Sequence, residues 1–213
     1  MSESVDDALY RAIKSGRPDE IARVIEETGD ANYRTGTGET ALTWAADPEY
    51  GPDGTSVRVR RLIQLGARVS EEDPKAGLGT SVHLAARSGH FETLSLLLAS
   101  DGSAALAKFD DMGRTPLICA VLGGDIGVVR LLLDAGSPVD ARDEARLEDT
   151  ALKYAVRERN QDIIKLLLER GADPSVRGWM QTSALDLVDD EHAADEIGQL
   201  FQRFARKTPN AWK

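Results

Sequence analysis

A short motif recurs along the chain at nearly constant intervals, and it constrains the fold more than any other feature. It reads Thr-x-Leu/Val-x-x-Ala and begins at Thr40, Thr80, Thr115 and Thr150, with a variant at Ser183. The intervals between these positions are 40, 35, 35 and 33 residues. Leucine-rich runs follow 16 residues after the second, third and fourth motifs, at Leu96, Leu131 and Leu166. Two independent markers at one offset indicate an internal repeat.

The offset after the first motif is 22 residues, and the additional residues lie around positions 48–54. This segment is rich in proline and glycine, which is typical of a loop insertion. The repeat is therefore interrupted once, near Tyr50.

Each unit has the features of a pair of helices. The threonine hydroxyl is suited to cap the first helix, and Pro116 occupies a favourable first helical position. The leucine-rich run has the spacing of a second helix, and Gly66, Gly136 and Gly171 follow such runs where a left-handed residue ends a helix. Neither helix covers its apolar face alone, so neighbouring pairs are expected to stack into a solenoid.

This pattern resembles the ankyrin repeat, whose period is about 33 residues with a T-P-L-H-x-A helix start. The match is carried by residues 110–117 and 131–136, by 83–90 and by 166–173. The resemblance covers nearly the whole chain. It implies an all-α solenoid of about six stacked helix-turn-helix units, joined by β-hairpin-like fingers.

We expect residues 1–213 to form a single ankyrin-repeat domain. Its units would span approximately residues 5–34, 35–74, 75–109, 110–144, 145–177 and 178–204, followed by a tail over residues 205–213. The first and last units would act as caps. Both are acidic, which suits the polar outer face of a terminal unit, although an acidic binding patch is an alternative.

Composition excludes several classes of protein. The chain has 26 Lys and Arg against 36 Asp and Glu, a net charge of −10, and this balance argues against binding to nucleic acid. No uncharged run approaches the ~20 residues of a membrane helix, and the start lacks a signal-peptide pattern. We therefore expect a cytoplasmic protein, monomeric when free. Stand-alone ankyrin proteins of this kind resemble bacterial examples.

Candidate catalytic and metal-binding residues have simpler structural interpretations. His83 stands at the family's T-P-L-H position, where the ring usually links neighbouring repeats, while His90 would be structural and His192 solvated. Cys119, the only cysteine, is expected to be a compact buried residue rather than a reactive thiol. Acid pairs such as Glu71–Glu72 and Asp110–Asp111 are expected to be solvated. We therefore predict no catalytic site, no cofactor and no metal.

The resemblance implies that a partner protein is bound by the finger tips and by the exposed side of each first helix, which together form a concave face. Fifteen residues occupy the family's variable contact positions: Thr37, Glu39, Asp47, Arg87, Ser88, Asp111, Met112, Arg114, Leu122, Arg146, Leu147, Arg157, Glu158, Trp179 and Met180.

The later fingers carry large apolar residues, among them Met112, Leu147 and Trp179. Tryptophan, methionine and arginine are enriched at protein interfaces, so these tips are candidate hot spots. In the alternative, Trp179 folds back onto the capping helices. The Tyr50 loop is either a second contact or a tolerated insertion.

The leading hypothesis is a non-catalytic module that binds a folded protein through its concave face. A more specific alternative is an inhibitor or immunity protein that neutralises a cognate toxin or enzyme. An enzyme on a solenoid scaffold is less favoured, because stacked helices rarely form the deep polar pocket that catalysis needs.

Overall fold

The computed structural model describes residues 4–50, 55–74, 79–146, 148–188 and 195–207. The α-helices in this part of the chain are α1 (Val5–Ser15), α2 (Pro18–Thr28), α3 (Ala41–Ala46), α4 (Thr55–Gln64), α5 (Ser81–Arg87), α6 (Phe91–Ala99), α7 (Pro116–Gly123), α8 (Ile126–Asp134), α9 (Ala151–Arg157), α10 (Gln161–Glu169) and α11 (Glu196–Lys207). Short 3-10 turns cover Pro48–Tyr50, Val69–Glu71, Gly102–Ala105 and Trp179–Gln181.

The motif threonines cap the first helices, as the sequence predicts. The Thr40 hydroxyl oxygen accepts a hydrogen bond from the Thr43 amide, and Thr115 and Thr150 accept the equivalent bonds at the starts of α7 and α9. Each bond satisfies a backbone N–H that has no partner inside its helix. The first helices are therefore positioned by local sequence.

The helices stack in two rows. The first-helix row contains α1, α3, α5, α7 and α9, and the second-helix row contains α2, α4, α6, α8, α10 and α11; each helix contacts its neighbours in its row. In each of the first five units the two helices also pack against each other. A continuous buried core runs between the rows, from Leu9 to Phe201. This is the all-α solenoid expected from the repeat.

Three of the fingers between units are closed at their base by a backbone hydrogen bond. The amides of Thr35, Asp110 and Gly178 each donate to the carbonyl oxygen four residues later, over 2.9, 2.9 and 3.0 Å. The described residues contain no extended strand, and only an isolated antiparallel bridge joins Arg34 to Thr40. The fingers are therefore tight turns with very little β structure.

The closing unit differs from the others. Residues 184–187 form a turn and Val188 a bend, although the motif variant at Ser183 suggested a first helix. Ser183 and Asp186 bond reciprocally, with the serine amide and hydroxyl donating to the carboxylate and the Asp186 amide donating to the Ser183 hydroxyl oxygen. The described second helix of this unit, α11, packs against α10.

None of the helices in the described ranges combines the length and the apolar character needed to cross a membrane. Cys119 is 1% exposed within α7, as expected for a compact core residue. Burial raises the pKa of its thiol to about 12, so the reactive thiolate is disfavoured.

Gly123, the last residue of α7, lies against the backbone of α5. A Cβ atom at this position would come within 2.4 Å of the Arg87 carbonyl oxygen. Alanine in place of a helical glycine ordinarily stabilises a protein by about 0.5–1 kcal/mol. Here we expect Gly123→Ala to lower the free energy of unfolding by about 1–3 kcal/mol, because the two helices must separate. Urea unfolding followed by circular dichroism measures the change, and a gain in stability would contradict it.

Candidate functional site

The structure places most of the expected contact residues at the surface. Nine are exposed: Thr37, Arg87, Asp111, Met112, Arg146, Arg157, Glu158, Trp179 and Met180. Five are partly buried: Glu39, Asp47, Ser88, Arg114 and Leu122. Leu147 lies outside the described residues.

One position in the repeat links each unit to the next. It is the third residue after the motif threonine, and it is occupied by Thr43, His83, Ile118 and Lys153. In three of the four units this side chain hydrogen-bonds to the segment that leads to the next unit, at Glu72, the Lys108 carbonyl oxygen and the Thr182 carbonyl oxygen. The residue at this position therefore helps to hold the connecting segment in these three units.

His83 forms the link expected from the family. Its Nδ1 accepts from the Thr80 amide at 3.2 Å, and its Nε2 lies 3.2 Å from the carbonyl oxygens of Lys108 and Arg114. A neutral ring with its proton on Nε2 satisfies all of these contacts. Burial lowers the pKa of His83 to about 4, which favours this neutral form.

Glu72 corrects the expectation that the Glu71–Glu72 pair is solvated. Its side chain is buried and lies between two repeats. One carboxylate oxygen accepts from the hydroxyls of Thr40 and Thr43, and the other accepts from the amide and hydroxyl of Ser81. Burial raises the pKa of Glu72 to about 7 despite these hydrogen bonds. Its role is therefore structural.

Asp110 is also buried, which corrects the second expected pair of solvated acids. Its carboxylate accepts from the amides of Met112 and Arg114 at 2.9 and 2.8 Å, and it forms an ion pair with the Arg114 guanidinium at 2.8 Å. The Arg114 side chain is only 12% exposed. Arg114 therefore stabilises the finger from within and offers little surface to a partner.

The Arg146 guanidinium joins two neighbouring fingers. It donates to the carbonyl oxygens of Asp110, at 3.4 Å, and of Asp111. This places the exposed Met112 tip beside the finger that contains Arg146.

The Trp179–Met180 finger is fixed by a buried ion pair that the sequence analysis missed. The Lys153 ammonium and an Asp149 carboxylate oxygen are 2.6 Å apart, and their side chains are 3% and 2% exposed. The ammonium also donates to the carbonyl oxygens of Trp179 and Thr182 at 3.1 and 2.9 Å. We call the Asp149–Lys153 pair the latch. The one feature of the sequence that indicates the latch is that Lys153 occupies the same position in its repeat as His83 does in an earlier repeat.

Asp149, the acidic member of the latch, anchors the start of the same finger. Asp149 accepts from the Trp179 amide at 2.9 Å. A Cβ atom at Gly178 would lie 2.4 Å from the Asp149 carboxylate, so a glycine is needed at this close approach. Both ends of the finger are thus bonded to one buried pair.

The tip itself is exposed and conformationally strained. Trp179 is 58% exposed and Met180 is 69% exposed. Met180 and Gln181 have φ values of 59° and 57°, in the left-handed region that bulky residues rarely adopt. Trp179 therefore does not fold back onto the described capping residues. Strained conformations of this kind cluster at functional sites.

Three aromatic rings pack together at the other end of the first-helix row. Tyr50, in the turn after α3, stacks on Trp44 with ring centroids 5.9 Å apart. Tyr10 of α1 meets both rings edge to face. The part of the insertion that the structure describes is thus attached to the first two units.

Metal binding has no evident site in the described ranges, where no three His, Cys, Asp or Glu side chains converge.

Comparison with known families supports the repeat assignment. A model of three consecutive ankyrin repeats matches residues 53–143, and a model of one ankyrin repeat matches residues 148–179.

Curated relatives match only part of the chain. The ankyrin repeat and KH domain-containing protein mask of Drosophila melanogaster is 39% identical over 106 residues, covering 50% of this chain and 3% of that protein. The E3 ubiquitin-protein ligase XBAT32 of Arabidopsis thaliana is 30% identical over 156 residues, covering 62% of this chain and 30% of the relative. The chain therefore spans less than a third of the length of these relatives.

Solved structures match over nearly the full length. The ankyrin repeat domain of Bcl-3, a member of the IkappaB family, has a TM-score of 0.75 at 25% identity and covers 96% of this chain and 87% of that domain. The human ASB11 ankyrin repeat domain has a TM-score of 0.70 at 26% identity, over 92% of this chain and 81% of its own. Since the family models together match more than half of the chain, it belongs to the ankyrin repeat family.

Proposed function

We propose that this chain is a non-catalytic module that binds a folded partner protein through the surface formed by its fingers and first helices. Ankyrin repeat domains are protein-interaction modules, and the chain belongs to that family. The observation that carries the proposal is the exposed Trp179–Met180 tip, held at both ends by the buried latch.

The energetics of the tip favour a binding role over a stabilising one. An exposed tryptophan or methionine contributes little to the stability of the free protein. A large apolar side chain that becomes buried at an interface, by contrast, is a typical hot spot for binding. The latch fixes the tip before binding, so less conformational entropy is lost when a partner arrives. Met112, 56% exposed on the finger two units earlier, is a further apolar tip.

Charged residues surround these tips and favour a specific partner. Arg157 is half exposed, and its guanidinium lies 3.2 Å from Asp149 and over the ring of Tyr154. It is thus oriented by the protein and still accessible to a partner carboxylate. We expect affinity to come from the apolar tips and orientation from charges of this kind.

A pull-down from lysate of the source cells tests the proposal. The tagged protein is compared with Met112→Asp/Trp179→Asp/Met180→Asp, which places charge on the apolar tips. Loss of hot-spot contacts costs about 2–4 kcal/mol, so the captured band should weaken roughly 30-fold or more.

The matched control is Val57→Asp/Phe91→Asp/Ile126→Asp, which changes three exposed apolar residues on second helices. Circular dichroism first establishes that both variants are folded. A partner lost only with the tip variant supports the proposed surface. A partner lost only with the control would move the site to the second-helix row. Identifying the band decides whether the module acts as an inhibitor or immunity protein, because either would capture a toxin or an enzyme.

A further inference from the structure

The aromatic cluster of Tyr10, Trp44 and Tyr50 is only partly covered. Tyr10 is 38% exposed and Tyr50 is half-buried, while Trp44 is 8% exposed beneath them. The Tyr10 ring is nearly perpendicular to both other rings, with centroids 6.0 Å from Trp44 and 5.6 Å from Tyr50. Because the Tyr10 and Tyr50 rings are not fully buried, the cluster presents aromatic surface to solvent.

Three carboxylates accompany the rings. Glu39 accepts a hydrogen bond from the Trp44 indole at 3.1 Å, and Asp47 accepts from the Glu49 amide at 2.9 Å. Burial, followed by the charges of Glu39 and Asp47, raises the pKa of the Tyr50 hydroxyl. Among the ion pairs between described residues, none includes Glu39, Asp47 or Glu49. The cluster therefore carries negative charge that the described cations leave unpaired.

The protein itself places a cation against this cluster. The Lys14 ammonium lies 5.5 Å from the centroid of the Tyr10 ring and donates to the Tyr10 hydroxyl at 3.3 Å. These distances place the ammonium beyond the hydroxyl edge of the ring. The face of an aromatic ring attracts cations more strongly, and nearby carboxylates strengthen that attraction. Lys14 is exposed and forms no ion pair with these three carboxylates among the described residues. The carboxylates are therefore available to another cation.

We propose that this aromatic and acidic cluster is a second contact surface, and that it binds an arginine in a basic segment of the partner protein. The inference rests on the proposed protein-binding function and adds the chemistry of the partner. A planar guanidinium stacks on a tyrosine ring and bonds to a carboxylate at the same time. An apolar segment would leave the carboxylates unpaired, and an acidic one would be repelled.

The Trp44 indole provides a local probe, because its N–H donates to Glu39 at the centre of the cluster. In nitrogen-15 NMR of the full chain, Trp44→Phe identifies the Trp44 indole signal. The protein is titrated with a short capped peptide that contains two arginines, and separately with its citrulline analogue, which keeps the shape but lacks the charge. We expect a saturable shift of the Trp44 signal with the arginine peptide alone, with a Kd on the order of 1 mM.

A charge variant and its matched control locate the contact. Asp47→Asn/Glu49→Gln removes two carboxylates and keeps Glu39 as the partner of the indole. We expect roughly fivefold to tenfold weaker peptide binding in this variant. Asp19→Asn/Glu26→Gln removes the same charge from exposed positions of α2 and should leave the binding unchanged.

Three results would overturn the inference: no shift of the Trp44 signal, equal shifts with the citrulline peptide, or equal weakening in both charge variants. The titration needs no partner protein and does not involve the Trp179 finger. A failed pull-down beside a saturable Trp44 shift would reject the proposed function alone. A specific pull-down without a Trp44 shift would reject only the arginine contact.

Discussion

The Lys153→Met variant is expected to unfold at a lower urea concentration than the unmodified protein, with a loss of about 3 kcal/mol in the free energy of unfolding. Lys153 and Asp149 are both nearly inaccessible to solvent. Methionine has a similar length, but it leaves the Asp149 charge buried, and among the described residues the half-exposed Arg157 is then its only cationic partner. The carbonyl oxygens of Trp179 and Thr182 also lose the hydrogen bonds that the Lys153 ammonium donates to them.

The same variant should loosen the Trp179–Met180 finger. Hydrogen exchange of the Trp179 amide, which donates to Asp149, measures this directly. Because stacked repeats contact only their neighbours, protection of α1 and α2 should stay unchanged. Because the tip is less ordered in this variant, partner binding should also weaken.

Two further variants sharpen this test. Lys165→Met changes an exposed lysine of α10 and should alter stability by less than about 0.5 kcal/mol. The double variant Asp149→Asn/Lys153→Met removes both charges, so it should recover part of the lost stability. A Lys153→Met protein as stable as the Lys165→Met control would show that the latch does not hold the finger.

We expect Glu72→Gln to make stability strongly dependent on pH in the acidic range. The folded-state pKa of Glu72 is raised from 4.5 to about 7, so its contribution to stability is complete below pH 4.5 and is lost as the pH rises towards 7. The folded-state pKa of His83 is lowered from 6.5 to about 4, so its contribution is complete above pH 6.5 and is lost as the pH falls towards 4.

The two contributions have opposite signs and nearly the same range, so they offset each other in the unmodified protein. Each corresponds to about 3 kcal/mol over its full range. Glu72→Gln removes one of them. The variant should therefore lose about 2–3 kcal/mol more than the unmodified protein as the pH falls from 7 to 4.5.

Urea unfolding at several pH values between 4 and 7.5 measures both profiles. The reciprocal variant, His83→Gln, should lose stability relative to the unmodified protein as the pH rises from about 4 to 6.5, because its pH-dependent contribution is missing. Parallel profiles for Glu72→Gln and the unmodified protein would contradict the raised pKa of Glu72.

Sequence reasoning succeeded where structure is local. The helix starts follow from threonine hydroxyls that cap the next turn of the same chain, and the repeat spacing places the second helices. Burial of Cys119 and the linking role of His83 were predictable from their positions within the repeated motif.

Sequence reasoning failed where a side chain meets the next unit. Glu72 and Asp110 are each one of two adjacent acids, and the sequence does not distinguish the buried acid from the solvated one. Arg114 was expected to face a partner, but its guanidinium is committed to Asp110. The contact surface as a whole, including Leu147, stays a prediction.

The periodic sequence by itself determined the repeat, the helix pairs and their caps, because caps, turns and apolar stripes depend on residues close together in the chain. Only the tertiary structure decided which polar residues are internal. The partners of Glu72, Lys153 and Trp44 come from other turns, fingers or helices, and stacking removes the ionisable side chains of Glu72 and Lys153 from water. The same stacking leaves Trp179 exposed above a buried ion pair, and that arrangement is the basis for proposing it as a binding residue.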